Sequence, residues 1–590
     1  MRPAALIDFR SPDGEAAPLR LAFGAPRLRL RAVSPGEVAP LLARVDALAR
    51  AGAWCVGYLR YEAAGAFDAA FESHPPADAR SPLAEFAIHD APLAGADADA
   101  AWRLESNGAA EVRWAQGPRR AEFDAALAEI QRAIADGEVY QVNATAALAG
   151  TLRGDPLALF AALRRAQPNA YAAFLDLGDD QILSVSPELF FDWRGRRLLA
   201  RPMKGTAPRG ADPAADAVQA ERLAASVKER AENLMIVDLL RNDLSRVAEP
   251  FSVRVPRLFH TEAWPTIWQM SSDVAARSRE GATLADVFGA LFPCGSITGA
   301  PKVRAMRLIK ALEPGPRGVY CGAVGVVQPG GAATFNVPIR TIELRASGGV
   351  VRARCGIGSG ITADSTADGE WGEWRHKRAF VDRASGAFEL LETLRLEEGV
   401  FADGDAHLRR LAGAAAHFGF AAPEPAARRA LQQAAHRHPG GTWRVRLLAD
   451  RAGAVRAQAV ALERLGSALR VQLAARAFEE ADGEFVRHKT TRRAHYEAFA
   501  PASSDVFDTL LWNSRAELTE FTRGNLALRI DGRWRTPALR CGLLPGVARA
   551  RLLRDGTLDE AVLTKGDLAR ATAIAFFNSL RGWLAVELVK

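Results

Sequence analysis

The chain has 590 residues, 49% of them hydrophobic and 25% charged, with a formal net charge of +7. That length exceeds what one hydrophobic core usually serves, and 50 Gly with 32 Pro spread outside any long polar tract exclude collagen, coiled coil and wholesale disorder. The basic residues alternate with acids, as in "RLAASVKERAENL", so no stripe for nucleic acid is expected.

The N-terminus "MRPAALIDFRSPDG" lacks an apolar leader, and no run of eighteen apolar residues follows, so the expectation is a cytoplasmic protein without a membrane role. A helix is predicted over "AEFDAALAEIQRAIADGEV", a strand over "ILSVSPELFFDW", and a long helix over "AVQAERLAASVKERAENLMIVDLLRNDL". In that helix Leu223, Val227, Leu234, Val237 and Leu240 recur at near-helical spacing and predict a buried stripe. A strand over "GVYCGAVGVVQ" and a helix through Lys377 follow, ending in a turn at Ser385 and Gly386. This turn sets an expected boundary between domains 1–385 and 386–590. The second part opens with the strand "FELLETLRL" and the helix "AHLRRLAGAAAHFG". Strands "TWRVRLLAD", "ALRVQLAA" and "LALRIDGRW" come next, then "AIAFFNSLRGWLAVELV". Both parts are mixed, and the fold class is α+β.

Five cysteines (Cys55, Cys294, Cys321, Cys355 and Cys541) lie scattered with no C-x-x-C pair, which argues for a reducing compartment and against disulfides or zinc. Only eight of the 76 basic residues are lysine, so a lysine inside a motif invites a chemical role. In "SVSPELFFDWRGRRLLARPMKGT", Glu188 and Lys204 read as lying on adjacent antiparallel strands joined at Arg194 to Arg196, with a surface ion pair as the plainer alternative. Glu229 and Glu232 sit at i and i+3 opposite the apolar stripe, and Glu370 and Glu373 repeat the spacing. Such pairs are either solvated helix faces or a site for Mg²⁺. "FPCGSITGAPKVRAM" departs from a phosphate-binding loop at Pro301, and "GIGSG" lacks dinucleotide spacing, so both read as backbone amides offered to a carboxylate, with Tyr320 and Arg340 as side-chain partners.

The strings "RPMKGT", "RAENLMIVDLLRNDLSRV", "FPCGSITGAPKVRAM", "YCGAVG", "IRT" and "GSGITADS" together resemble the chorismate-binding enzyme family, with a motif core over residues 55–380. The resemblance implies a large α/β sandwich. Lysine in "P-x-K-G-T" is similar to the aminodeoxychorismate-forming type, whereas anthranilate-forming members carry alanine there. Gln141 stands where isochorismate-forming members place a water-activating lysine, and Gln269 where many members carry histidine. The resemblance implies that Lys204 attacks C2 of chorismate, with Glu188 as acid and then base. Glu232 and Glu373, with Glu229 and Glu370, would hold Mg²⁺. Tyr320, Arg340, Thr298, Lys377 and the amides around Gly358 and Ser359 would receive substrate. Because the attack needs a neutral amine, burial or a nearby cation is expected to lower the pKa of Lys204. No cysteine occupies a nucleophile elbow, so ammonia is expected free or from a separate glutamine amidotransferase subunit.

In the second part, Lys489 lies in "EFVRHKTTRRAHYEAF" among Arg487, His488, Arg492 and Arg493, either as a basic surface turn or as an amine depressed for Schiff-base work. Glu520 follows in a strand, turn and strand, and "LLPGVARARLL" offers a helix start at Gly546, Val547 and Ala548. Arg410 in "HLRRL", and Asn578 with Ser579 in "FNSLRGW", add donors. "ELTEFTRGNL" and "LLPGVAR" resemble the fold-type IV pyridoxal phosphate family, which implies a smaller domain of two α+β subdomains. By that resemblance Lys489 is the Schiff-base lysine and proton carrier, Glu520 meets the pyridinium nitrogen, and Arg410, Val547, Ala548 and Ser579 bind phosphate. The entry before "FELLETLR" is shorter than relatives usually show. A homodimer is also implied.

The combined expectation is a bifunctional enzyme: chorismate and ammonia to 4-amino-4-deoxychorismate, then pyridoxal-phosphate-dependent loss of pyruvate to 4-aminobenzoate, for folate. Two alternatives stand beside it. One is an anthranilate-type synthase fused to a branched-chain or D-amino-acid aminotransferase; the other is an active synthase with a non-catalytic C-terminal domain.

Overall fold

Strands Asp180–Ser186 and Leu189–Arg194 are separated by only Pro187 and Glu188, yet they belong to different sheets. The computed structural model describes residues 2–589 apart from 13–16, 77, 79–80, 105–109, 179, 210–212, 265–266, 464, 467–468, 502 and 504. It divides into Met1–Gly386 and Ala387–Lys590.

The larger unit contains a nine-stranded and a ten-stranded sheet. Ile7, Phe9, Tyr171 and Ile182 of the first pack with Val56, Tyr58, Val324 and Val326 of the second in an inter-sheet core. Helices Arg120–Ala135, Pro156–Ala166, Lys302–Leu312 and Ala367–Ala384 cover the nine-stranded sheet. Pro35–Arg50, Val227–Ser245 and Leu284–Leu291 cover the ten-stranded one. The result is a four-layer sandwich of helices, sheet, sheet and helices. Each large side chain fully buried in these layers contributes roughly 1.5–3 kcal/mol before entropy is counted.

The long helix expected from residue 217 onward is two helices, Pro213–Ala225 and Val227–Ser245. Ser226 caps the second, its hydroxyl accepting from the Glu229 amide at 3.3 Å. The break shifts the phase, so Val227 is 84% exposed and Leu234 43% exposed. The buried face is Asn233, Ile236, Val237, Leu240 and Leu244.

The smaller unit has a four-stranded antiparallel sheet under helices Gly404–Phe418 and Glu424–Arg437. Its eight-stranded sheet is mixed, parallel where Leu469–Leu473 meets Val506–Trp512 and Gly582–Leu588 and where Arg533–Pro537 meets Asp559–Ala561. The added pairing of Leu518–Phe521 with Gly524–Ile530 closes part of that sheet into a ring. The five cysteines are buried and free. No helix among the described residues is long and apolar enough to cross a membrane.

Candidate active sites

Glu188 sits at the corner where the chain leaves one sheet of the larger unit for the other, and it is only 3% exposed. Its Oε1 accepts a hydrogen bond from Ser296 Oγ at 2.6 Å. Burial pushes its carboxyl up to about 7, against the pull of Ser296, Lys204 and Lys377.

Lys204 is not on the strand that pairs with Leu189–Arg194. That partner is Arg197–Arg201, and Lys204 follows on Met203–Pro208, which pairs instead with Ile267–Arg277. The amine therefore comes within electrostatic reach of the carboxyl from a strand further along the chain, a feature that two-strand reasoning missed. The charges that face Lys204 are the carboxylates of Glu188, Glu229, Glu232 and Glu373, where the sequence had suggested burial or a neighbouring cation. A Cβ on Gly360 would lie 2.4 Å from Lys204 Nζ and 2.7 Å from Gln141 Nε2, so only glycine leaves room for both. Gln141 is fully buried, and neither of its amide atoms has a hydrogen-bond partner among the described residues. Gln269 Nε2 donates to the carbonyls of Gly205 at 2.8 Å and Met270 at 3.2 Å, and so holds the backbone next to Lys204.

Of the two acidic pairs, Glu370 is buried and Glu229 and Glu232 are partly buried, while the Glu373 side chain is 45% exposed. Burial raises Glu229 and Glu232 above the ordinary carboxyl range; Glu232 adds to the rise at Glu229, and Glu370 and Glu373 add to that at Glu232. Glu373 is burdened by burial too, but Lys377, at 2.6 Å from its Oε1, with Lys204 and Lys228, holds it low. Glu370 is only 7% exposed, and its two oxygens accept from Ser359 Oγ at 2.5 Å and Ser365 Oγ at 2.7 Å. Among the described residues no three His, Cys, Asp or Glu side chains converge closely enough to hold a metal ion. The donor set is nevertheless all oxygen, and its mutual repulsion is of the kind a hard cation relieves. It fits Mg²⁺ that keeps waters and a substrate oxygen rather than a closed protein cage.

Arg340 has a left-handed backbone (φ 50°) and no carboxylate partner among the described residues. Burial, with Arg383 adding to it, pushes its guanidinium down to about 10, a cost that a bound anion would remove. Pairing of Val350–Ile361 with Thr341–Ser347 stops at Cys355, while pairing with Gln141–Gly154 runs on to Ile361. Beyond Cys355 that strand's other edge, with Gly358 and Ser359, has no strand against it among the described residues. Tyr320 is buried there, its ring 2.2 Å from where a Cβ of Gly356 would be. Other expected donors are already engaged. Thr298 Oγ1 donates to Cys294 O at 3.1 Å and Gly295 O at 3.2 Å, Ser359 Oγ serves Glu370, and Lys377 Nζ donates to Gly358 O at 3.0 Å.

In the smaller unit, the segment carrying Lys489 is stitched to the four-stranded sheet. Leu391 N donates to Lys489 O at 3.0 Å, and Thr491 N to Glu389 O at 2.9 Å. Burial lowers the Lys489 amine to about 8, with Arg493 and Arg410 adding to the shift. Of the four neighbours expected to do this, Arg493 is among the leading causes; Arg492 stacks on Phe388 and Phe485, and His488 on His417. Glu520, on the other sheet, accepts from Tyr496 Oη at 2.7 Å and is raised by burial to about 7. Arg410 is gripped by Glu392 through two bonds of 2.8 and 2.6 Å, and its Nη1 reaches Pro545 O at 3.1 Å, beside the start of helix Val547–Arg554. His407 Nδ1 joins the same carboxylate at 2.7 Å. The sequence reading found neither Glu392, His407 nor Tyr496.

At Gly546, the cap of that helix, a Cβ would lie 2.0 Å from Asn525 Oδ1, so the cradle below Val547 and Ala548 requires glycine. Asn578 is already engaged: its amide nitrogen donates to Arg523 O at 3.0 Å, and its amide oxygen accepts from the Leu580 and Arg581 amides at 3.0 and 2.7 Å. Ser579 lies in that turn. A buried amine of low pKa, a protonatable buried carboxyl and a helix start facing an arginine fit pyridoxal phosphate.

A family model described as chorismate binding enzyme matches residues 29–383, more than half the chain. The chain belongs to the chorismate-binding enzyme family. A second model, amino-transferase class IV, matches residues 389–589, so this chorismate-binding protein carries a second domain of a class that implies pyridoxal phosphate. It is 45% identical over 260 residues to aminodeoxychorismate synthase component 1 of Klebsiella aerogenes, covering 44% of this chain and 57% of that protein. It is 40% identical over 265 residues to anthranilate synthase component 1 of Streptomyces coelicolor, covering 45% of this chain and 51% of that protein. The chain thus spans little more than half the length of these curated relatives. Among solved structures, anthranilate synthase component I from Streptococcus pneumoniae TIGR4 aligns with a TM-score of 0.51 at 22% identity, over 65% of this chain and 91% of that one. This last likeness concerns the fold.

Proposed function

We propose that the larger unit aminates chorismate to 4-amino-4-deoxychorismate and that the smaller one converts this product to 4-aminobenzoate and pyruvate. The observation that carries the reading is a buried Glu188 carboxyl, held near neutrality, within electrostatic reach of the Lys204 amine. In this reading the neutral amine forms a bond to C2 while the C4 hydroxyl leaves with the Glu188 proton as water. Ammonia then bonds to C4, the lysine is expelled as a free amine, and the Glu188 carboxylate takes the proton that ammonia loses. Arg340 and the open edge at Gly358 and Ser359 would receive one carboxylate of the substrate. Glu229, Glu232 and Glu373 would hold Mg²⁺, which supplies charge for the other. Ammonia would arrive free or from a separate amidotransferase subunit.

In the smaller unit, pyridoxal phosphate when bound supplies an electron sink. Lys489 would anchor it and carry the C4 proton, Glu520 would face the ring nitrogen, and Arg410 with the Val547 and Ala548 amides would hold the phosphate. Arg410 in the grip of Glu392 supports this, because a clamped guanidinium loses little entropy on meeting an anion. Fusion raises the local concentration of the intermediate at the second site.

The test is incubation of the purified chain with chorismate, Mg²⁺ and ammonium, with and without pyridoxal phosphate. Formation of 4-aminobenzoate only with the cofactor is expected. Anthranilate as product would overturn the first half, and aminodeoxychorismate accumulating with the cofactor present would overturn the second. Lys204→Ala should abolish aminodeoxychorismate formation.

A further inference from the structure

The Glu188 carboxyl has two oxygens in different situations. Oε1 receives Ser296 Oγ at 2.6 Å, while Oε2 has no protein hydrogen bond among the described residues and is the oxygen left for substrate. Behind Ser296 lies Cys294, its Sγ 3.2 Å from Ser296 Oγ in a contact where either atom can donate. The three residues are 3%, 5% and 2% exposed, so each hydrogen in the chain must find its partner inside the protein. The turn that carries Cys294 and Ser296 is also fixed. Thr298 Oγ1 clips the Cys294 and Gly295 carbonyls, and a Cβ on Gly295 would lie 2.2 Å from Leu239 Cδ2 of the helix behind.

We infer that Ser296 and Cys294 form a hydrogen-bond chain that holds Glu188 Oε1 in both protonation states and leaves Oε2 to exchange the proton, making both positioning residues for its acid and base steps. This rests on the reading of Glu188 as the acid–base group. With Glu188 ionised, the thiol donates to Ser296 and the hydroxyl donates to the carboxylate. With Glu188 protonated on Oε2, Oε1 remains a carbonyl acceptor and the same hydroxyl bond is kept. No proton leaves Ser296 or Cys294, and the only proton exchanged is the one that Glu188 gives to the departing hydroxyl and regains from ammonia. In neither state is a donor left facing a donor. The other groups that feel the Glu188 charge are Lys204, Lys377 and the thiol of Cys321.

The experiment measures kcat and KM for aminodeoxychorismate formation across pH at constant free ammonia, with thermal melting as the check on folding. Ser296→Ala should lower kcat about tenfold or more with KM little changed. It should also move the limb governed by Glu188 to higher pH by about half a unit, because the ionised carboxylate loses its donor. Ser296→Thr should restore both. Cys294→Ala, which leaves the bond between Ser296 and Glu188 in place, should give a smaller loss that Cys294→Ser repairs. A normal profile in Ser296→Ala or in Cys294→Ala, with Glu188→Gln inactive, overturns the inference. An active Glu188→Gln overturns the acid–base reading beneath it as well.

Discussion

Glu188 and Lys489 are both held where burial disfavours their charge, and each leaves a signature in stability. The folded-state carboxyl of Glu188 lies near 7, against an ordinary value of 4.5. Between those values the folded chain keeps a proton that the unfolded chain has lost, so stability falls as pH rises through this window and stays lower above it. Glu188→Gln removes the titration. The variant should match the parent below pH 4.5 and become the more stable protein by pH 8, as read by urea unfolding of the larger unit, while losing synthase activity. Lys489 runs the other way. Its amine titrates near 8 when folded, against 10.5. Between these values the unfolded chain holds the extra proton, so stability of the cofactor-free protein should rise with pH across that range. In Lys489→Met the rise should be absent; a parent and variant with parallel curves would remove burial as the cause of the shift.

At the scale of elements, glycines and caps decide where the reactive groups come to rest. The strand Val350–Ile361 passes so close to Tyr320 that a methyl on Gly356 would enter its ring. Gly356→Ala should displace Tyr320, raise KM for chorismate and cost about 1–3 kcal/mol by overpacking. Unchanged KM with lowered stability would separate Tyr320 from substrate binding. The Ser226 cap is the element-level feature that simple periodicity could not read. Apolar residues at helical spacing continue through it, so one long stripe was the natural expectation. Serine is an ordinary residue in such a run until its hydroxyl is seen to start a new helix. The hairpin carrying Glu520 and the helix start at Gly546 were more legible, because turn and cap chemistry is local.

At the scale of the molecule, the proposed sequence assigns one step to each of the two units, Met1–Gly386 and Ala387–Lys590. Variants disabled in opposite halves should therefore complement. Lys204→Ala mixed with Lys489→Ala should make 4-aminobenzoate from chorismate after a lag that shortens with protein concentration. Absence of product in the mixture, with each remaining half active alone, would mean the intermediate is never released.

The sequence alone determined which groups are present and the local strings that carry them: Lys204 after a Pro-Met pair, glutamates three residues apart on helices, Lys489 before its two threonines, and the Gly-Val-Ala helix start. These depend on neighbours within a turn or two of chain. Only the tertiary structure decided that Ser296 would meet Glu188 across 108 residues, that Glu392 would grip Arg410, and that Glu188, Lys489 and Glu520 would be shifted toward neutrality. The reason is physical. Burial and long-range hydrogen bonding are properties of packed sheets and helices, and the free energy of a charge depends on what surrounds it rather than on what precedes it in the chain.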